Sequence, residues 1–200
     1  MLLLMLFVWF TLWREDQGAL PSVRYLPHLD AMKEMVDRCA ELNRPVVFPP
    51  GGSSVGGMAG TSITGNHLAS ITILQEIASY CATTGAKLIV LAARPPLIPL
   101  YTEAVREGYV KAGALQDFSP DIIRYSTPEL YSYAAWCAGT IRREKAGANF
   151  MIGGHMMESL ILASAGLDVG AMQIAGTTGS SQAPYFIATC DYVFIGPEMY

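Results

Sequence analysis

Apolar and polar positions follow two periods along the chain, one typical of helices and one typical of buried strands. Residues 29–42 place Leu29, Met32, Met35 and Val36 at helical spacing between charged side chains, which predicts an amphipathic surface helix. Apolar runs bounded by proline or glycine predict strands at residues 45–48, 87–92, 121–125, 148–152, 170–175 and 192–195. Further helices are predicted at residues 68–83, 100–112, 127–145, 156–165 and 182–189, with a glycine-rich loop at residues 51–65.

Strands and helices alternate about six times, and this order determines the predicted fold class. Such alternation is typical of an α/β domain with a mostly parallel sheet and helices on both faces. We therefore predict a Rossmann-like, three-layer fold of about six strands, in one domain at residues 29–200. Residues 17–28 contain Gly18, Pro21 and Pro27 and are predicted to be a linker.

Residues 1–13 read MLLLMLFVWFTLW, and Thr11 is their only polar side chain. A helix of that length spans about 20 Å, whereas a bilayer core of about 30 Å needs about 20 residues. A signal peptide and a buried helix are alternatives, but the segment has no basic start, no small-residue cleavage site and no polar face. Because Trp9 and Trp13 suit a membrane interface, we predict a membrane-anchor helix at residues 1–16, either tilted or shortened at its start.

Charged side chains are few and unevenly distributed. They make up 15% of the 200 residues, and Glu76 is the only one at residues 45–86. Residues 146–196 contain only Glu158, Asp168 and Asp191. Since a surface helix needs a polar stripe, we expect other copies, a partner or lipid to cover the helices at residues 68–83, 156–165 and 182–189. The alternative is a compact domain whose surface helices are rich in alanine, serine and threonine.

Net charge and cysteine content narrow the class of protein. A net charge of -4 and a pI near 5.3 argue against a nucleic-acid-binding protein. Four cysteines without C-x-x-C spacing exclude a disulfide scaffold and favour a reducing compartment. Arg14 and Arg24 are the only basic residues close behind the apolar segment. We therefore expect a membrane-anchored protein whose main domain lies in the cytoplasm.

In open parallel sheets, ligands bind beyond the carboxyl ends of the strands. Two turns, Gly153-Gly154-His155 and residues 176–181, each follow a predicted strand and open a helix, so their N–H groups suit an anion. Arg94 adds a compensating positive charge. The candidate ligand-binding residues are Ser53, Ser54, Arg94, His155, Thr177, Thr178, Ser180 and Ser181. The alternative is that these glycine-rich turns only let the chain reverse tightly.

Recognised catalytic motifs are absent from the sequence. The segment GGSSVGG at residues 51–57 lacks the lysine of a P-loop and does not match G-x-G-x-x-G, and no G-x-S-x-G occurs. His155 and Glu158 could share a metal ion, but a site needs two more ligands and only His28 and His67 remain as histidines. We therefore predict no metal and no cofactor, assign no catalytic residue, and favour a protein that is not an enzyme.

The distinctive segments AMQIAGT at residues 171–177 and CDYVFIGPEMY at residues 190–200 carry a resemblance to a known family. With PVVFPPGGSSVGG and the apolar start, the chain resembles uncharacterised membrane-anchored proteins of bacteria and archaea, classed as a domain of unknown function. The resemblance covers most of the chain and implies an anchored α/β domain that continues past residue 200. It implies no reaction.

Two functions are consistent with these observations. The first is an assembly or accessory subunit, anchored in the membrane, of a homo-oligomer or a larger membrane complex. The alternative is an enzyme or sensor that binds a small anionic ligand, such as a nucleotide or a phosphorylated metabolite, at the strand ends.

Overall fold

The computed structural model describes residues 27–52, 61–178 and 182–196, together with Met5. Six helices and six strands alternate within these ranges. The helices are α1 (Pro27–Glu41), α2 (Thr61–Thr84), α3 (Ile98–Lys111), α4 (Leu130–Glu144), α5 (Glu158–Asp168) and α6 (Ala183–Thr189). The strands are β1 (Val46–Phe48), β2 (Leu88–Ala92), β3 (Ile123–Tyr125), β4 (Ala148–Ile152), β5 (Met172–Thr177) and β6 (Tyr192–Ile195).

The six strands form one parallel sheet in the order β3-β2-β1-β4-β5-β6. Val47 in β1, for example, lies opposite Ile89 in β2 and Asn149 in β4. This is the strand order of Rossmann-type folds, in which the direction of winding reverses between β1 and β4. The predicted parallel α/β sheet of about six strands is confirmed.

Helices cover both faces of the sheet. Successive side chains of a strand point to opposite faces, so Val90 and Phe150 pack with α1, α2 and α3, whereas Leu91 and Met151 pack with α4, α5 and α6. Strands β1, β2 and β4 are buried along their whole length. They therefore read as continuous apolar runs in the sequence, without the alternation of a strand that faces water.

Several helices begin at other residues than predicted. Helix α1 begins at Pro27, within the predicted linker, and α2 begins at Thr61, within the predicted glycine-rich loop. Helix α4 begins at Leu130, three residues after the predicted start at residue 127, because Glu129 supplies the N-terminal cap. The Glu129 carboxylate accepts hydrogen bonds from N–H groups in the first turn of α4, at 2.6 and 3.2 Å. The helix dipole also favours a negative charge at this end of the helix.

A buried polar pair joins strands β4 and β5. Asn149 and Gln173 lie opposite each other, and Asn149 Nδ2 donates to Gln173 Oε1 at 3.0 Å. Gln173 Nε2 donates to the carbonyl oxygens of Ala163 in α5, at 3.1 Å, and of Thr189 in α6, at 2.9 Å. Because a buried amide costs free energy unless it is paired, these bonds favour one register of β5 against its neighbours.

Most of the segment at residues 68–83, for which we predicted an outside partner, is covered by this chain itself. Helix α2 packs between α1 and α3. Gly108 in α3 permits the close approach, since a Cβ there would lie 2.6 Å from the carbonyl oxygen of Gln75. Glu76, the only charge of the segment, pairs with Lys111 of α3 at 2.6 Å. The segment is poor in charge because its own chain buries most of it.

The predicted membrane anchor at residues 1–16 lies outside the described residues, apart from Met5. Within the described ranges, no helix has both the length and the apolar content that crossing a bilayer requires. Ser53, Ser54, Ser180 and Ser181, four of the predicted ligand-binding residues, also lie outside the described residues.

Candidate functional site

Two glycine turns meet at the point where the strand order reverses. Pro50-Gly51-Gly52 follows β1 and Gly153-Gly154 follows β4, and the Gly154 N–H donates to the Pro50 carbonyl oxygen at 2.9 Å. Gly51 has a φ of +92° and Gly153 a φ of +146°, and a Cβ on either would lie 2.2 Å from a backbone oxygen of the other turn. Only glycine permits both contacts, so the two turns are in direct backbone contact.

The carboxylate of Glu158, the first residue of α5, joins the same two turns. Its Oε1 accepts a hydrogen bond from the Gly52 N–H and its Oε2 accepts one from the Met156 N–H, both at 3.0 Å. The side chain is fully buried. Burial raises the pKa of Glu158, whereas backbone N–H groups and the positive charge of Arg94 act in the opposite direction. The Glu158 carboxyl group thus already occupies the N–H groups at the start of α5.

Arg94 follows β2 and reaches across to the turn after β1. Its Nε donates to the Gly52 carbonyl oxygen at 2.9 Å, and a terminal guanidinium nitrogen contacts the same oxygen. Gly52 therefore accepts from Arg94 through its carbonyl group and donates to Glu158 through its N–H group. The half-buried guanidinium lies at the carboxyl ends of the strands, as predicted, and contributes to holding the turn.

His155 lies in the turn after β4, and its imidazole ring is fully buried. Nδ1 is 3.9 Å from Glu158 Oε1, and the ring packs edge-to-face on Phe186 with centroids 5.9 Å apart. Neither ring nitrogen has a hydrogen-bond partner of regular geometry among the described residues, although the Pro49 backbone lies close enough to favour the protonated ring. Burial, together with the nearby His67, lowers the pKa of His155 to about 3. The ring is therefore neutral at pH 7, with one nitrogen as a donor and the other as an acceptor.

Helix α2 brings further polar side chains to this region. The Thr178 hydroxyl, in the turn after β5, donates to Asn66 Oδ1 at 2.7 Å. One residue further along α2, His67 Nδ1 lies 3.2 Å from the hydroxyl of the buried Tyr101 in α3. Described residues of the turns after β1, β4 and β5 and of α2 therefore lie at the carboxyl ends of the strands, and we call this region, from Gly52 and Asn66 to His155, Glu158 and Thr178, the switch-point crevice.

The described candidates lie where the strand pattern predicts them, at the carboxyl ends of β2, β4 and β5. They are Arg94, His155, Thr177 and Thr178. The Glu158–Gly52 contacts connect Arg94 with the His155 turn, whereas Thr178 contacts α2 instead. Thr177, the last residue of β5, is buried.

The turn after β4 does not offer the free N–H groups that its sequence suggests. The Gly154 N–H donates to Pro50 and the His155 N–H to the Gly153 carbonyl oxygen. The Met156 N–H donates to Glu158. An external anion therefore meets donors that are already in use.

Sequence motifs indicate Glu158 only as a possible partner of His155 on a metal ion. Among the described residues, no three histidine, cysteine or acidic side chains gather at one place where they could hold a metal. The signal for its structural role is its isolation, because Glu158 is the only charged residue at positions 146–167. A single carboxylate in such an apolar stretch is typical of a buried, hydrogen-bonded group. Asn66 and Gly52 carried no comparable signal.

A comparison with known protein families supplies one match for the chain. A family model described as a domain of unknown function (DUF6754) matches residues 1–200. No curated protein and no solved structure matches the chain.

The contact between the two glycine turns predicts a strong effect of a single methyl group. We expect Gly153→Ala to lower the free energy of unfolding several times more than Gly113→Ala. Gly113 also has a positive φ, of +72°, but a Cβ there meets nothing within 4 Å, so only backbone strain of about 1 kcal/mol remains. Urea unfolding of both variants measures the difference, and equal losses would contradict the backbone contact.

The neutral, buried His155 predicts a loss of stability in acid. The pKa of His155 is lowered to about 3 in the folded chain, whereas it keeps its ordinary value of 6.5 in the unfolded chain. Between these two pH values the unfolded chain therefore binds one proton more than the folded chain does. Stability therefore falls as the pH falls from about 6.5 toward 3, by at most about 1.4 kcal/mol per pH unit. Glu158, whose pKa is raised by burial, acts in the opposite direction.

The test of this pH dependence is urea unfolding of the unmodified chain and of His155→Gln at about pH 7 and pH 5. We expect the unmodified chain to lose more stability than the variant over that interval. Equal pH slopes would show that the His155 ring is not held neutral by its surroundings.

Proposed function

The chain belongs to this family of unknown function over its whole length, and we propose that it is a membrane-anchored assembly module that forms a homo-oligomer. An apolar surface formed by α5 and α6, here called the α5–α6 surface, carries the proposal. It consists of seven large apolar side chains that are each 40–67% exposed, namely Met156, Met157, Leu160, Ile161, Leu167, Tyr185 and Ile187.

The α5–α6 surface lies on one side of the sheet and is nearly free of charge. Helices α5 and α6 pack against each other, so their outer side chains share one side of the molecule. Of the two acidic residues in α5, Glu158 is buried and Asp168 pairs with Arg142 at 2.7 Å. Helix α6, with the sequence APYFIAT, contains no charged residue. Large exposed apolar patches on soluble proteins mark contact sites, which supports an interface here.

Helix α2 provides a comparison within the same chain. It is as poor in charge as α5 and α6, but α1 and α3 cover it, and among its described side chains, at residues 65–84, Leu68 is the exposed large apolar one, at 59%. A lack of charge alone therefore does not indicate an interface. The α5–α6 surface combines a lack of charge with exposure, and leaving such area in water costs about 25 cal/mol per Å².

The apolar N-terminal segment supports the membrane part of the proposal. Residues 1–13 contain one polar side chain, Thr11, and two tryptophans of the kind found at membrane interfaces. Anchoring confines copies to one plane, which raises their effective concentration and strengthens association through a modest interface. The buried free thiols of Cys39, Cys81 and Cys137 support a cytoplasmic, reducing environment for the main domain.

The assembly proposal predicts that charge on the α5–α6 surface separates the copies. We expect the protein extracted in mild detergent to be larger than one chain by light scattering, and the double variant Leu160→Arg with Ile187→Arg to be a monomer. Val110→Arg is the matched control, because Val110 is 50% exposed but belongs to α3 on the other face of the sheet. A monomeric unmodified chain, or equal effects of both variants, would contradict the proposal.

A second candidate function is the binding of a small anionic ligand, such as a nucleotide or a phosphorylated metabolite, in the switch-point crevice. It is favoured by the buried titratable side chains that gather where the strand order reverses, which are His155, Glu158 and the half-buried Arg94. Reversal points of open α/β sheets bind ligands, and groups with perturbed pKa values cluster at functional sites.

The ligand-binding candidate predicts a thermal shift with nucleotides or phosphorylated metabolites. A ligand present at about 100 times its Kd stabilises the folded chain by about 2.7 kcal/mol. We expect the combined variant Arg94→Ala with His155→Ala to lose the shift, and Arg106→Ala, an exposed cation on α3, to retain it. If no compound of either class raises the melting temperature, this candidate is rejected.

A further inference from the structure

We propose that the N–H groups of Gly52 and Met156 form a binding site for a single carboxylate or phosphate group, and that the Glu158 carboxylate occupies this site when no ligand is bound. The inference rests on the ligand-binding candidate and specifies which atoms would hold the anion. It also makes Glu158 an internal competitor of the ligand.

The arrangement of the donors differs from an ordinary helix cap. Glu129, which caps α4, is exposed and accepts hydrogen bonds from Tyr131 and Ser132 of the same helix. Glu158 is fully buried and accepts one bond from its own turn and one from Gly52, which lies 106 residues away in the chain. Two donors from separate turns converge on one carboxylate, as they do in sites for bound oxyanions.

The ring of His155 is the second observation that indicates an oxyanion site. It is fully buried, Nδ1 lies 3.9 Å from Glu158 Oε1, and neither ring nitrogen has a hydrogen-bond partner among the described residues. A buried polar group without a partner costs free energy, so its retention needs a reason. A carboxylate presents two oxygens, which the N–H groups of Gly52 and Met156 bind. A phosphate presents a third oxygen, to which the neutral His155 ring can donate a hydrogen bond.

Arg94 adds the positive charge that such a site requires. Its guanidinium binds the carbonyl oxygen of Gly52, the residue whose N–H holds the carboxylate, and its positive charge acts on Glu158. An anion that replaces Glu158 would keep this favourable interaction. Glu158 would have to leave both N–H groups before the anion binds, and the site is therefore self-inhibited.

Chemical rescue tests the site directly. Acetate is the fragment that Glu158→Ala removes from the side chain, so added acetate or formate can take the vacated place. We expect this variant to have a lower melting temperature than the unmodified chain, and acetate to raise it by several degrees more than chloride does at equal ionic strength. Inorganic phosphate should act in the same way, and should act less in the double variant Glu158→Ala with His155→Phe.

The matched control is Glu129→Ala, which removes a carboxylate from an exposed helix cap where water can replace it. Acetate and chloride should affect that variant equally. Equal effects of acetate and chloride on Glu158→Ala would overturn the proposal. If that variant does not fold, Glu158→Gln keeps the volume but replaces one acceptor oxygen with a donor. It should lower the melting temperature and shift the amide proton resonance of Gly52 or Met156, and an unchanged temperature with unchanged resonances would also overturn the proposal.

These outcomes separate the site from the ligand-binding candidate. Rescue by acetate with no thermal shift by any metabolite leaves the oxyanion site intact and rejects a metabolite as its natural occupant. A metabolite shift without rescue by acetate places the ligand elsewhere in the crevice and rejects the site proposed here.

Discussion

A buried carboxylate joins the start of helix α5 to the turn after β1. Glu158 accepts hydrogen bonds from Gly52 and Met156 and thereby joins the turn after β1 to the turn after β4. The two turns can approach closely enough only because glycine occupies positions 51 and 153. A carboxylate buried without such partners would be strongly unfavourable, so the donors, the glycines and the carboxylate depend on one another.

Helix α5 also connects the two functions proposed for the chain. Its first residue, Glu158, lies buried in the switch-point crevice, and two and three residues later Leu160 and Ile161 are 45% and 40% exposed. The inward contacts through Glu158 and the Gln173 amide therefore fix the orientation in which the apolar side chains meet their surroundings. Helix α5 therefore contributes residues both to the switch-point crevice and to the α5–α6 surface.

The fold could be predicted from the sequence because its central strands are buried on both faces. Segments such as LIVLA in β2 and ANFMI in β4 read as short apolar runs between breakers, and their alternation with helices determines a parallel sheet. Charge content could not separate α2 from α5, because both contain few charges and only the neighbouring helices decide which one is covered. The isolation of Glu158 in an apolar stretch indicates burial, but its partners could not be predicted, since they are backbone N–H groups, one of them 106 residues away.

The claim that the α5–α6 surface is covered is tested most directly by imaging the protein purified in mild detergent. Electron microscopy of single particles would show the number of copies and the neighbours of each. The account predicts several copies, with density from another copy against Leu160 and Ile187. Isolated single chains whose α5 and α6 face open solvent would contradict it.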